Sequence, residues 1–153
     1  MKQGFTVIEI IFIIMIIGIL ALIAIPRLSA TYDDAKVTMA LNNIGTLIND
    51  LSTYYISNEH YSSNLKEMTN VTNVNYTISW SSVLQSGVLT YYTLDNDSNI
   101  EPCTLFSIRN EDGNLTISSV PNPSGEICKS LQSIPTYKQF LRTRLIGGNR
   151  IKF

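Results

Sequence analysis

Chemistry-bearing side chains are scarce in this chain of 153 residues. It holds one histidine, one tryptophan and two cysteines, and only 15% of its residues are charged. A hydrolytic or metal centre draws on several convergent groups. A lone His60, set between Glu59 and Tyr61 in a polar stretch, does not supply them and reads as a solvated loop residue. No phosphate-binding loop, dinucleotide fingerprint or CxxC pair occurs. No internal repeat is visible. Neither enzymatic activity nor a cofactor is expected, so any work driven by nucleotide hydrolysis falls to another protein.

What the chain has in excess is a hydrophobic run. The 21 residues from Phe5 to Ile25 carry a single charge, Glu9. At about 1.5 Å per helical residue the run spans about 31 Å, the thickness of a bilayer's hydrocarbon core. An acid at the centre of such a helix costs roughly 2.5–3.5 kcal/mol, so its presence calls for a use. Three readings compete. A secretory signal peptide normally has a shorter apolar region and a stronger basic start than Lys2 alone. A plain N-terminal anchor explains the run but not the acid. The third reading takes Gly4-Phe5, the Thr6-Val7-Ile8-Glu9 that follows, and Pro26 together.

That third pattern closely resembles the class III leader of the type IV pilin and type II secretion pseudopilin family. The resemblance covers roughly residues 1–30, and its spacing is specific. It implies cleavage after Gly4 by prepilin peptidase, N-methylation of Phe5, a register-setting role for Glu9 and a helix bend at Pro26. Cleavage would create a cationic amine on Phe5 at the depth of Glu9. Amine and carboxylate could then satisfy each other within or between chains, and loss of either would strand its partner.

Past Pro26 the helical period continues. Val37, Leu41, Ile44, Ile48, Leu51 and Tyr55 fall on one face, with Asn42, Asn43, Thr46, Asn49 and Asp50 between them. Proline should kink this helix of about fifty residues rather than end it. A polar connection, Ser57–Asn73, follows, with one helical turn expected around Leu65–Met68. Strands are predicted at Val74–Ser79, Val88–Leu94, Thr104–Arg109 and Leu115–Val120, with a hairpin turn signalled by Asp112-Gly113. Pro121, Pro123 and Gly125 close the sheet region. A final helix is expected over Thr136–Leu145, ahead of a Gly147-Gly148 break.

Charge divides the soluble part. From Leu28 to Cys128 there are 3 basic and 11 acidic residues, whereas Lys129–Phe153 has 6 basic residues and no acid. Cys103 and Cys128 are the only cysteines, and an even count in an exported domain reads as one disulfide. Two unrelated buried thiols are the alternative. The resemblance favours the bridge, because pilins commonly staple their C-terminal region.

Three further features have both a specific and a plain reading. Asp95, Asp97, Asn99 and Glu101 place oxygens at alternate positions, as a calcium loop does, but Ile100 stands where an EF-hand needs glycine and Phe106 where it needs the bidentate glutamate. A solvated turn is favoured there. Lys138, Arg142 and Arg144, with Tyr137 and Phe140 interleaved, could meet DNA phosphates and stack on bases. They could equally pair with the acidic body of a neighbouring subunit, or be a solvated tail. Asn70, Asn75, Asn96 and Asn114 each head an N-x-S/T triplet. Only Asn114 has an acid, Asp112, two residues earlier, as extended bacterial glycosylation sequons do.

The expected fold is α+β and pilin-like. A long N-terminal helix, transmembrane then amphipathic, packs on a small antiparallel sheet. The divisions are a leader (1–4), a membrane and assembly helix (5–26), an amphipathic helix (27–56) and a globular head (57–153). The resemblance implies a structural subunit polymerised from the bacterial inner membrane, with its head in the periplasm or outside the cell. Its partners would be copies of itself or other pilins, the peptidase, and an assembly platform with a separate ATPase. Of the services such a filament could perform, the basic tail favours DNA uptake, with type II secretion, to which the Asp95–Glu101 loop points more weakly, and adhesion or motility as the alternatives. A non-polymerising membrane-anchored binding protein is the alternative of another class.

Overall fold

The structure is a computed structural model that describes residues 5–77, 86–94 and 100–147, with side chains excepted at 23–31 and 75–77. The Gly4 cleavage position, the end of the first predicted strand at Ile78–Ser79, and the Gly148 half of the C-terminal break lie outside the described residues. So does the Pro26 side chain. The backbone helix α1 (Val7–Asn58) nevertheless continues through position 26 for a total of 52 residues. Residues 1–36 form one compact unit and 37–153 another.

In the second unit, α1 supplies the stripe that the sequence announces. Val37, Ala40, Ile44, Leu47, Ile48, Leu51 and Tyr55 are buried, and Leu41 packs half-buried beside them. The sequence pattern missed Ala40 and Leu47, which widen the stripe to the full apolar arc of a core-facing helix. Asn43 sits at its margin and donates to the Tyr91 hydroxyl at 3.2 Å.

That stripe covers a five-stranded antiparallel meander: β1 (Val74–Thr77), β2 (Ser86–Leu94), β3 (Ile100–Arg109), β4 (Asn114–Ser119) and β5 (Thr143–Leu145), adjacent in chain order. Each central strand alternates, with Leu89 and Tyr91, Phe106 and Ile108, and Leu115 and Ile117 facing the core. One inner face is dry and the other carries polar side chains, as expected of an antiparallel sheet covered once. The alternation breaks in β3. Tyr91 pairs with Thr104 but Tyr92 pairs with Pro102, which leaves Cys103 as the extra residue of a β-bulge. The bulge turns two consecutive side chains, Cys103 and Thr104, into the core. The bulge also falls at Pro102, which has no N–H to give a ladder.

The C-terminal region differs from the predicted single helix over Thr136–Leu145. Two short helices occur, α3 (Glu126–Ser133) and α4 (Pro135–Phe140), and residues 143–145 are strand β5. Pro135 cannot donate to a continuing helix but suits a first helical turn, so it separates α3 from α4. Thr143 and Leu145 then pair with Thr116 and Asn114. Helix α2 (Leu65–Met68) is the single turn predicted, capped by Asn64.

The β3–β4 turn meets the end of α1. Gly113 has φ +64°, and an added Cβ would lie 2.6 Å from the Gly147 nitrogen and overlap the Tyr55 ring. The Tyr55 hydroxyl donates to the Asn110 carbonyl at 3.1 Å, and the Ile146 N–H donates to the Gly113 carbonyl at 3.2 Å. The Asn110 amide, in turn, accepts from the Tyr61 N–H at 2.5 Å and donates to the Tyr61 carbonyl at 3.4 Å. Gly113→Ala therefore meets both backbone strain and a steric clash with main chain. We expect it to cost about 2–4 kcal/mol, read as a lower urea midpoint with an unchanged slope.

Candidate functional site

The first candidate is the start of α1. Side chains from Phe5 to Leu20 are exposed around the whole circumference of the helix, with Phe5 78% and Leu20 61% accessible. A helix apolar on every side has no face suited to water. Among the described residues, no helix is long and apolar enough to cross a membrane.

Glu9 is anchored within its own chain. Its Oε2 accepts from the Thr6 N–H at 2.8 Å and from the Thr6 hydroxyl at 2.6 Å. Opening a helix leaves backbone donors without partners, and a glutamate three residues in can satisfy one of them, as in half of a capping box. Thr6 is the partner that the sequence reading overlooked. The T-x-x-E spacing ahead of an apolar run was its signal. The arrangement holds the one acid of the run at the helix N-terminus, where an anion is favoured.

The second candidate is the calcium-like loop. Asp95, Asp97 and Asn99 lie outside the described residues. Glu101 is placed at the start of β3, and its carboxylate is already engaged by the N-terminus of α3. It accepts from the Ser124 N–H, from the Ser124 hydroxyl at 2.7 Å and from the Gly125 N–H at 2.6 Å. Gly125, the N-cap of α3, has no side chain to do this. Desolvation works to raise the Glu101 pKa, but the hydrogen bonds from Ser124 and Gly125 and the nearby Lys129 charge outweigh it, and the pKa is held below the usual glutamate value. Among the described residues, no group of three or more His, Cys, Asp or Glu side chains is placed to hold a metal.

The third candidate is the basic C-terminal segment. Lys138 and Arg142 are exposed on and just after α4, and Arg144 is half-buried in β5 opposite Leu115. Desolvation, followed by the proximity of Arg142, lowers the Arg144 pKa. Its Nε is buried with no hydrogen-bond partner among the described residues. Tyr137 is fully buried, and its hydroxyl lies 2.9 Å from that of Thr104. Its ring is therefore core and cannot stack on a base, which corrects the interleaved-aromatic expectation. Phe140 is half-buried against the core.

Asn114 opens β4, half-buried, with its N–H bonded to the Asp112 carboxylate at 3.1 Å. Its side-chain oxygen is buried and has no partner among the described residues. His60 is exposed, with Nδ1 2.7 Å from the Asn58 carbonyl and its ring edge-on to Tyr54. Cys103 and Cys128 are joined as a disulfide, with Cα atoms 5.7 Å apart.

Two curated proteins match part of the chain, and both are named type II secretion system core protein G. The Escherichia coli K12 protein is 38% identical over 60 residues, covering 39% of this chain and 41% of that protein. The Pseudomonas aeruginosa protein is 39% identical over 62 residues, covering 40% of this chain and 44% of that protein. The chain thus spans about two fifths of the length of the curated relatives it matches. No protein-family model and no solved structure matches it. The resemblance to pilins and pseudopilins rests on these sequence matches together with the α+β architecture of a long helix laid on an antiparallel sheet.

Glu101 generates a pH prediction. Its folded pKa is depressed, so its stabilising contribution is fully present above the unfolded value and is lost as pH falls through the folded one. Replacing Glu101 with Gln should cost about 1 kcal/mol at pH 7, the usual worth of a helix cap. The gap between the two chains should shrink steadily as pH falls below the ordinary glutamate range. Paired thermal melts at pH 7 and pH 3 would show this, and a gap that is the same at both would overturn it.

Proposed function

We propose that this chain is a pseudopilin-type structural subunit, cleaved after Gly4, methylated on Phe5 and polymerised from the inner membrane into a filament of the type II secretion kind. The observation that carries the reading is the start of α1, apolar on every side and exposed, with its single acid held at the helix N-terminus. Such a surface is stable in a bilayer or among like helices, and a subunit that passes from one to the other uses both. In the membrane, lipid would surround Phe5–Ile25. In the filament, neighbouring copies or related subunits would replace it.

Glu9 is the residue whose role changes on that passage. Before cleavage it accepts from Thr6. After cleavage a cationic Phe5 amine becomes available, from the same chain or a neighbour, and the acid can take it at a fixed height. A charge pair in a low-dielectric core is costly to break one-sidedly, so it fixes register better than it adds stability. Pro26 would supply the bend, and a separate ATPase and assembly platform would supply the work.

Secretion is preferred over DNA uptake and over adhesion because both relatives are named for type II secretion. Placing Tyr137 in the core further removes one of the two rings that a DNA-binding tail was expected to offer. Lys138, Arg142 and Arg144 are then better suited to meeting acidic surface on an adjacent head.

Two measurements test the proposal. The intact mass of the protein from cells should show loss of residues 1–4 and gain of one methyl group. A Glu9→Val chain should remain in the inner membrane while its recovery in sheared or cross-linked filaments falls at least tenfold. A retained Met1, or normal filament incorporation of Glu9→Val, would favour a non-polymerising membrane-anchored binding protein.

A further inference from the structure

The segment Glu101–Thr104 touches α3 and α4 at four successive places. Glu101 takes three donors at the start of α3. Cys103 bonds to Cys128 in the first turn of α3. The Cys103 carbonyl accepts from the Gln132 amide at 3.4 Å, and that amide also donates to the Val120 carbonyl at 2.9 Å. The Thr104 hydroxyl meets Tyr137 on α4. Three of these contacts are non-covalent, so none of them requires the thiols to be joined. They flank the disulfide on both sides, and the bulge that turns Cys103 inward lies within the β2–β3 ladder.

We propose that Glu101 and Gln132 are positioning residues for oxidative folding: they dock α3 on the bulged end of β3 in the reduced chain, so that the two thiols are already within bonding range when an oxidant arrives. The step itself is an exchange. The thiolate of one cysteine attacks a small disulfide oxidant such as oxidised glutathione, releasing one glutathione thiolate. The second cysteine thiolate then displaces the other glutathione from the mixed disulfide, forming the Cys103–Cys128 bond. Overall, two protein thiols lose two electrons and two protons, and one oxidised glutathione becomes two reduced ones. Docking raises the effective concentration of the second thiol and leaves the first attack unchanged. Its signature is therefore a change in the intramolecular step alone.

The neighbouring titratable groups are Lys129 and Glu126, which pair with each other at 2.9 Å on the exposed side of α3. Glu126→Gln is thus the control: it alters the charge of α3 but removes none of the donors that Glu101 accepts from. The full chain, held reduced in detergent micelles, would be equilibrated against a glutathione redox buffer and the oxidised fraction read by thiol alkylation and mass. Glu101→Gln should lower the effective concentration of the pair roughly three- to tenfold, as loss of a cap implies. Glu126→Gln should leave it within twofold. Ser124→Ala, which removes only the hydroxyl donor, should give a smaller drop and should add little to Glu101→Gln.

A second measurement does not require the bridge. In a Cys103→Ala, Cys128→Ala chain, the amides of Ser124 and Gly125 should remain protected from hydrogen exchange, and adding Glu101→Gln should abolish that protection. If those amides are unprotected without the bridge, or if Glu101→Gln leaves the glutathione equilibrium unchanged, the disulfide forms first and the dock follows it. The proposal is then wrong, whatever the fate of the filament reading.

Discussion

The fold rests on one contact: the apolar stripe of α1 from Val37 to Tyr55 laid on the inner face of the meander. Ile44, Leu47 and Leu51 on the helix, and Leu89, Phe106 and Leu115 on the strands, are fully buried. Each such side chain is worth about 1.5–3 kcal/mol for its burial. Neither partner could form alone. An isolated sheet with one bare apolar face has nothing to cover it, and a helix of this composition in water draws most of its stability from packing. The rest of the head attaches to that layer pair. Asn110 holds the chain leaving the helix, the β3–β4 turn leans on Tyr55, and α3 and α4 are pinned to the bulged end of β3.

Helices and hairpins with strong local signals were legible in the sequence. The stripe of α1 has a clean 3.6-residue period, the β2, β3 and β4 strands have a period of two, and Asp112-Gly113 marks a turn whose glycine does adopt φ +64°. Features set by long-range partners were not legible. Helix α3 has a glycine at its N-cap, so its start carries no local capping signal; the cap comes from Glu101, 24 residues earlier. Strand β5 is three residues long and exists only because β4 offers an edge. The bulge at Cys103 leaves no mark in the pattern beyond two adjacent inward residues. The same distinction runs through the candidate sites. Glu9 could be picked out because an acid in an apolar run is anomalous by itself, whereas the occupation of Glu101 by α3 depends on a contact that no spacing encodes.

The two ends of the molecule treat their acids in the same way. Glu9 and Glu101 each accept from backbone N–H groups that opening a helix leaves over, one at its own helix and one across the fold. Both carboxylates are thereby held in one orientation. At the N-terminus this fixes the height of a charge on an otherwise featureless apolar rod. In the head it fixes the direction from which the C-terminal helices approach.

The meander has every strand beside its predecessor, and the covering helix comes before them all. For a chain synthesised N-terminus first, chain order is also order of arrival. Each strand emerges to find its pairing neighbour already present and its apolar side already roofed. No strand has to wait, open-edged, for a later partner to be inserted between two earlier ones. The contacts closed at each stage are local, which keeps the search short, and sticky intermediates are exposed only briefly. The short β5 is then the last piece, and it covers the first three residues of β4.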